Sequence, residues 1–176
     1  MKKLLLTSSV FALAVVAALA ASVAFAHDDE GGGGKARLNG FQETPSISTT
    51  GHGRFRARVR NDGIQYTLRY EELENDAVVA HIHFGQQHVA GGVIAFLCGG
   101  GDKPACPARA GTVTGVIDAA DVIGPAGQGI EPGSLAEAIR ALRAGAVYAN
   151  VHTTRFGNGE IRGQVGHHGR GQDREK

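Results

Sequence analysis

The chain has 176 residues, a formal net charge of +1, and charged side chains at 20% of its positions. This near-neutral balance provides no electrostatic footprint for nucleic acid, and it excludes a highly charged disordered protein. The 27 glycines disfavour long helices and suit many short strands joined by tight turns. The composition therefore indicates a β-rich globular domain without a nucleic-acid partner.

Residues 1–26 have the layout of a secretory signal peptide. Lys2 and Lys3 form a basic start, residues 10–21 are an apolar run, and residues 24–26 are an A-x-A cleavage site. The run is short for a membrane span, which needs about 20 residues. We therefore expect cleavage after Ala26, no membrane span in the mature chain, and a periplasmic or extracellular location. An uncleaved anchor helix is the alternative.

The mature chain is expected to contain one folded domain between two loose ends. Residues 27–35 are acidic and then glycine-rich, which predicts a flexible leader. Residues 166–176 are polar and predict a disordered tail. The domain is predicted to span residues 36–165 and to open with a strand at residues 36–41.

The next predicted strand, residues 54–60, alternates apolar side chains with four arginines. The arginines are Arg54, Arg56, Arg58 and Arg60. They could form a binding stripe for acidic polymers, but the pattern favours an exposed sheet face whose arginine stems cover apolar surface. Asn61-Asp62-Gly63 then predicts a hairpin turn into a returning strand at residues 64–71.

Further strands and one helix complete the predicted fold. The helix is indicated by a capping-box pattern at Ser134 and Glu137, apolar residues at helical spacing, and a stop at Gly145. We expect it to be a crossover element, with a partner-binding helix as the alternative. The remaining strands are predicted at residues 77–84, 93–98, 110–117, 146–153 and 160–165.

About eight strands and one short crossover helix satisfy this pattern. The predicted fold is an all-β, antiparallel β-sandwich of immunoglobulin-like or superoxide-dismutase-like architecture. Its two cysteines, Cys98 and Cys106, flank a short glycine-rich segment and predict a disulfide in an oxidising compartment. The alternatives are a reduced pair and a metal-binding dithiol, although this spacing is not a zinc-knuckle pattern.

Three histidines are the strongest candidates for chemistry. His81 and His83 are two residues apart, so they project from one face of their strand. His152 joins them only if its strand is a neighbour in the right register. Three imidazoles with an open position would suit copper or zinc. The alternative, which the sequence favours, is a hydrogen-bond network that orders the sheet; His88 is a more distant candidate.

Familiar catalytic patterns are missing from the sequence. It contains no nucleophile elbow, phosphate-binding glycine loop, H-E-x-x-H or C-x-x-C pattern. Glu43 and Glu160 form no evident acid–base pair, and each is expected to form a structural salt bridge with Arg162. The sequence therefore favours a protein without catalytic residues.

Several fragments resemble the chordin domain (CHRD) family. The resemblance runs from about Ala36 to Val165, in a single copy. It implies an all-β domain of the kind found in microbial exported proteins and, as repeats, in the animal growth-factor antagonist chordin. The matching fragments are His81-Ile82-His83 with Gly85, Phe96-Leu97-Cys98, the strand from Tyr148 to Thr153, and Gly159-Glu160-Ile161-Arg162-Gly163-Gln164.

Two functions from different classes follow. The leading one is an exported, non-enzymatic CHRD module that binds a protein, polysaccharide or envelope partner. The alternative is a copper- or zinc-binding protein that uses His81, His83 and His152, with weak oxidoreductase activity conceivable. Cu/Zn superoxide dismutases also carry an H-x-H pair on a β-sandwich. No dismutase-like zinc loop is recognisable here, however, and likeness of fold does not transfer activity.

Overall fold

The computed structural model describes residues 32–60 and 63–167, with the backbone alone at His167. In this part of the chain one α-helix, α1 (Leu135–Arg143), accompanies nine strands, and no helix is long and apolar enough to cross a membrane. The strands are β1 (Gly33–Asn39), β2 (His52–Arg60), β3 (Gly63–Glu71), β4 (Ala77–Phe84), β5 (Gly92–Cys98), β6 (Gly111–Ile117), β7 (Val147–Thr153), β8 (Ile161–Gln164) and β9 (Gly166–His167).

The strands pair antiparallel in one continuous sheet. Their order is β5-β4-β7-β8-β1-β2-β3-β6, and the short β9 pairs with β1. The edge strands β5 and β6 approach each other, and the Tyr66 hydroxyl donates to the Leu97 carbonyl at 2.8 Å. The sheet is nearly closed, which protects the edge groups that an open sheet exposes. The predicted all-β, antiparallel fold is confirmed, and its strands belong to one nearly closed sheet.

The apolar core lies on the inner side of this sheet. Along β2 and β3 every second side chain points inward, so Phe55 and Leu68 are buried while their neighbours are exposed. β7 differs, because all of its residues are buried. Val147, Ala149 and Val151 belong to the core, so other parts of the chain must cover the opposite face of β7. That covered outer face carries the candidate site.

Strand β1 begins earlier than the sequence indicated. It starts at Gly33 rather than at Ala36, because the glycines allow a close approach to neighbouring strands. A Cβ on Gly34 would stand 2.4 Å from Cγ1 of Val165. Gly34 also pairs with His167, which brings strand structure into the predicted tail. The division of the chain into signal peptide, leader, domain and tail stays a prediction.

The predicted disulfide is present. Cys98 and Cys106 are bonded, with their Cα atoms 5.0 Å apart. The bridge joins the end of β5 to the loop that leads to β6. Within this closed loop the Gly99 N–H donates to the Pro104 carbonyl at 2.8 Å, so the bridge and the backbone together shape the connection between the two edge strands.

Helix α1 connects β6 and β7, as predicted, but its N-terminal cap is different. The predicted capping box is wrong: the Ser134 side chain makes no capping hydrogen bond, and the Glu137 carboxylate accepts from the Glu131 N–H at 3.1 Å. Ser134 has φ −88° and ψ 75°, which is not the extended conformation that brings an N-cap side chain to the helix N–H groups. The residues of α1 that are buried are Ala138, Ala141 and Leu142.

Two predictions concern residues that the structure does not describe. The signal peptide and its cleavage site lie outside the described residues, and so do the first two residues of the Asn61-Asp62-Gly63 turn. The strands on either side of that turn pair from His52 with Glu71 to Arg60 with Gly63. The returning strand therefore follows β2 directly, as the hairpin pattern indicated.

Candidate metal centre

The candidate site lies on the outer face of β4, β7 and β8. Across β4 and β7, His81 pairs with Asn150 and His83 pairs with Tyr148. On the far side of β7, Arg162 of β8 pairs with Asn150. Because paired residues point to the same side of a sheet, these five side chains share one face. The face is polar, although it is covered.

His81, His83 and His152, here called the trihistidine cluster, converge on this face. They are 8%, 8% and 9% exposed. His152 pairs with Val79, which places it diagonally across from His81, and their ring centroids are 4.6 Å apart. One ring nitrogen from each of the three lies within 4.8 Å of the others. His88 is exposed and does not belong to the cluster. The convergence depends on the register between β4 and β7, which the local sequence left open.

Backbone carbonyls fix the orientation of two of the rings. Nδ1 of His83 lies 3.0 Å from the carbonyl oxygen of Gly91, and Nδ1 of His152 lies 3.0 Å from that of Gly157. A carbonyl oxygen can only accept, so in the neutral rings both Nδ1 atoms carry the proton. The Nε2 atoms of both histidines are then lone-pair donors, and hydrogen bonds of this kind orient metal-binding histidines.

The third ring faces these lone pairs. Nδ1 of His81 is 3.1 Å from Nε2 of His83. Nε2 of His152 is buried and has no hydrogen-bond partner among the described residues. The sequence alternative, a hydrogen-bond network that orders the sheet, therefore accounts for both nitrogens of His83, for Nδ1 of His81 and for Nδ1 of His152. The Nδ1 atoms of His83 and His152 donate to backbone carbonyls, and Nδ1 of His81 donates to Nε2 of His83. This network leaves the Nε2 of His152 without an interaction among the described residues.

Burial also controls protonation of the trihistidine cluster. Desolvation, together with repulsion from His152 and His83, lowers the pKa of His81 to about 3. Desolvation lowers the pKa of His83 to about 4, although its bond to a backbone carbonyl acts in the opposite direction. Desolvation also lowers the pKa of His152. All three imidazoles are therefore neutral at pH 7, the form in which histidine binds metals.

The loop between β4 and β5 lies over the site, and Tyr148 and Arg162 hold it there. The His83 ring stacks on the Tyr148 ring, with centroids 4.6 Å apart. The Arg162 guanidinium carbon lies 3.5 Å from the centroid of the same tyrosine ring, and Arg162 donates to the Gln86 carbonyl at 2.9 Å. The Gly91 N–H donates to the Tyr148 hydroxyl at 3.1 Å. These contacts hold the loop over the histidines and keep water away.

A buried pair next to the cluster, Glu43 and Asn150, was not found from the sequence. The Asn150 amide donates to Oε1 of Glu43 at 2.5 Å and to the Ile161 carbonyl at 3.3 Å. Desolvation raises the pKa of Glu43 to about 7, although the charge of Arg162 and the bond from Asn150 lower it. Glu43 and Asn150 are 107 residues apart in the sequence. No local pattern could therefore have indicated the pair.

Gly159 completes this polar layer by leaving space for the pair. Its φ is +123°, and a Cβ there would lie 2.5 Å from Nδ2 of Asn150 and 2.6 Å from Oε1 of Glu43. Both the conformation and the close approach favour glycine. The glycine in the closing Gly159-Glu160 motif thus has a structural reason that only the folded chain reveals.

The predicted salt bridges to Arg162 are wrong within the described part of the chain. Oε1 of Glu160 instead accepts from the Thr49 hydroxyl at 2.7 Å and from the Glu74 N–H at 2.8 Å. Glu43 lies near enough to Arg162 to feel its charge, but the two form no ion pair within 4 Å. The guanidinium is held by the tyrosine ring and the loop carbonyl described above.

Comparison with known proteins supplies the family. Neither the curated proteins nor the solved structures yield a match to this chain. The family model of the CHRD domain, however, matches residues 34–165. This range contains the trihistidine cluster, the disulfide and nearly all of the sheet. It confirms the resemblance seen in the sequence fragments, and the chain belongs to the CHRD domain family.

Proposed function

We propose that this CHRD domain is a non-enzymatic binding module whose trihistidine cluster binds one copper or zinc ion. Membership in the CHRD family supports a non-enzymatic module. The observation that carries the metal proposal is the buried Nε2 of His152, which has no hydrogen-bond partner in the described part of the chain. An unsatisfied buried polar atom costs about 1–3 kcal/mol. A bound cation would remove that cost.

The donor set also fits these metals chemically. Copper and zinc accept neutral imidazoles, and burial keeps the three rings neutral. Nδ1 of His81 and Nε2 of His83 are 3.1 Å apart, close to the roughly 3.3 Å between two nitrogens of a tetrahedral site with Zn–N bonds of about 2.05 Å. The carbonyls of Gly91 and Gly157 would hold the outer nitrogens. Three protein ligands would leave one position for water.

Metal analysis tests this proposal. Protein purified without a histidine tag would be stripped with a chelator and titrated with Cu²⁺ or Zn²⁺ in calorimetry. We expect one ion per chain, and no binding at this site in the His81→Ala/His83→Ala variant. The matched control is His52→Ala/His88→Ala, which removes two exposed imidazoles and should bind normally.

Two results would contradict the metal proposal. One is the failure of the wild-type chain to bind either metal. The other is equal binding by the His81→Ala/His83→Ala variant, which would place the ion elsewhere. A third variant, His167→Ala/His168→Ala, removes the two consecutive histidines near the C-terminus. It should still bind one metal ion per chain. In each case unfolding curves of the metal-free variants verify that the chain is folded.

A second candidate function is the binding of a protein, polysaccharide or envelope partner. The observation that favours it is an exposed face of β1, β2 and β3 that is rich in lysine and arginine. A pulldown from the native envelope fraction with the wild-type chain is the test. We expect an envelope component to be retained at low salt. If no component is retained, partner binding is contradicted.

We also propose that the chain is exported and cleaved after Ala26. The support is the signal-peptide layout of residues 1–26 together with the Cys98–Cys106 disulfide, since disulfides persist in oxidising compartments. N-terminal sequencing of the exported protein should begin at His27. A mature chain that still carried Met1 would contradict the proposal.

A further inference from the structure

Seven cationic side chains cover the outward side of β1, β2 and β3. All seven are exposed, and the sequence pattern had indicated only the four on β2. The strand pairings place the others beside those four. This surface, here called the cationic face, consists of Lys35, Arg37, Arg54, Arg56, Arg58, Arg60 and Arg69.

Strand register sets like charges opposite one another on the cationic face. Arg54 pairs with Arg37 on one side and with Arg69 on the other, and Lys35 pairs with Arg56. Paired residues have Cβ atoms about 4.5–5.5 Å apart, and like charges in these positions are destabilising. Of these seven cations, only Arg69 forms an ion pair with a described residue, at 3.4 Å with a carboxylate of β3. The array therefore repels itself, and its six other cations form no ion pair with a described residue.

The cationic side chains of β1 and β2 surround an open groove that lies over these two paired strands. Its volume is about 320 Å³. Beyond it, Thr67 of β3 pairs with both Arg56 and Thr114 of β6, and both threonines are exposed. The two threonine hydroxyls thus lie in line with the cationic side chains of Lys35 and Arg56. The groove is lined by Lys35, Ala36, Arg37, Arg54, Phe55 and Arg56.

We propose that the cationic face binds a linear polysaccharide that carries carboxylate groups. Each guanidinium can hold a carboxylate through two parallel hydrogen bonds, and the rows of cations can meet successive carboxylates of one polymer. The hydroxyls of Thr67 and Thr114 offer hydrogen bonds to sugar hydroxyls. Such a ligand supplies counter-charges for the array. The inference rests on partner binding, the second candidate function, and is independent of the metal proposal.

The composition of this face favours a polysaccharide over other polyanions. Its exposed strand residues include no phenylalanine, tyrosine or tryptophan, whereas single-stranded nucleic acids bind through stacked aromatic rings. Among the exposed residues of β1, β2, β3 and the adjoining β6, the one large apolar side chain is Val116 of β6, which is 37% exposed. Insertion into a membrane interface needs a much larger apolar surface.

Binding to sodium alginate, a carboxylated polysaccharide, tests the inference. Calorimetry would be run at low ionic strength with chelator present, so that the trihistidine cluster plays no part, and neutral dextran would be the control polymer. We expect the wild-type chain to bind alginate only, and an Arg37→Gln/Arg54→Gln/Arg56→Gln variant to bind it at least tenfold more weakly. If that variant does not fold, Arg54→Gln alone should weaken binding about threefold.

The matched control removes the same charge from other exposed positions. The variant Arg109→Gln/Arg140→Gln/Arg143→Gln should bind alginate within twofold of wild type. Equal weakening by both triple variants would overturn the inference, because it would indicate net charge alone. Tighter binding to duplex DNA or to phosphatidylserine vesicles than to alginate would also overturn it.

The outcome also separates this inference from the function on which it rests. If alginate is not bound but the envelope pulldown retains a component, the cationic face is not a polysaccharide site and partner binding stands. If alginate is not bound and the pulldown retains nothing, both are contradicted.

Discussion

The trihistidine cluster and the cationic face both lie on the outer side of one continuous sheet, but only the first is covered. The loop between β4 and β5 is held over the histidines by Tyr148 and Arg162. On the outer sides of β1, β2 and β3 no part of the chain that the structure describes forms such a cover. The same two-residue alternation therefore produces a buried polar layer at one place and an exposed one at another.

This difference in cover determines which charges the side chains carry. Under the loop, desolvation lowers the pKa of all three histidines and raises that of Glu43 to about 7. Burial thus favours uncharged forms. On the open face arginines stand opposite one another, because water screens much of their repulsion. The covered region suits a metal that binds neutral nitrogens, and the open region suits a charged polymer.

Loading the covered region with metal should have the largest effect on stability. Zn²⁺ at about 1,000 times its Kd should raise the free energy of unfolding by about 4 kcal/mol, because the ion binds the folded state. Guanidinium unfolding with and without chelator measures the change. Zn²⁺ should not raise the free energy of unfolding of the His81→Ala/His83→Ala variant. It should raise that of an Arg54→Gln variant as much as that of the wild type. A full increase in the histidine variant would contradict the assignment.

Acid should destabilise the metal-free protein by about 2–4 kcal/mol between pH 7 and pH 5. Unfolded histidines take up protons near pH 6.5, whereas His81 and His83, with pKa values of about 3 and 4, stay neutral when folded. The unfolded state then binds more protons, so stability is present above pH 6.5 and is lost as the pH falls. Urea unfolding at a series of pH values measures the slope.

Glu43 acts in the opposite direction and provides the control. Its pKa of about 7 lies above the unfolded value, so its protonation stabilises the folded state as the pH falls from 7 towards 4.5. A Glu43→Gln variant should therefore lose stability more steeply on acidification than the wild type. An Arg54→Gln variant on the cationic face should keep the wild-type slope. A flat profile in the Glu43→Gln variant would contradict the burial of neutral histidines.

A single methyl group should disturb the covered layer. Gly159→Ala should lower the free energy of unfolding by about 1–3 kcal/mol, since a Cβ there meets Asn150 and Glu43 and φ is +123°. Gly157→Ala is the matched control, because nothing lies within 4 Å of its Cβ position. Thermal and urea unfolding of both variants measure the difference. Equal losses would show that the polar layer tolerates the methyl group.

The smallest effect is expected on the open face. Arg54→Gln should raise the free energy of unfolding by a few tenths of a kcal/mol, because it removes like-charge contacts with Arg37 and Arg69. Arg155→Gln, which removes a 2.5 Å ion pair with Glu74, should lower it by about 0.2–1 kcal/mol. Unfolding at low salt measures both changes, and high salt should reduce them. A loss of stability in Arg54→Gln would contradict the repulsion.

Most elements of the fold could be predicted from local pattern. The alternation of Phe55, Ala57 and Val59 with arginines identified β2, and the observed strand has the same inward residues. The start of β1 at Gly33 could not be predicted, because glycines carry no pattern and are ordered here by their neighbours. The predicted helix cap was wrong for a related reason, since the conformation of Ser134 is set by the loop before it.

The sequence by itself determined that His81 and His83 share a face, because side-chain direction alternates along any strand. The sequence also limited an intramolecular disulfide to one pair, because Cys98 and Cys106 are its two cysteines. Both results depend on covalent geometry or on the absence of competing residues. Neither requires knowledge of which strands are neighbours.

Only the tertiary structure decided whether His152 joins the other two histidines. A shift of one residue between β4 and β7 would turn it to the other face, and that register is set by packing across the whole sheet. The pairing of Glu43 with Asn150 and the placement of Arg37 and Arg69 beside Arg54 depend on the same long-range contacts. Local sequence sets the direction of each side chain along its strand, whereas strand order and register determine which side chains meet.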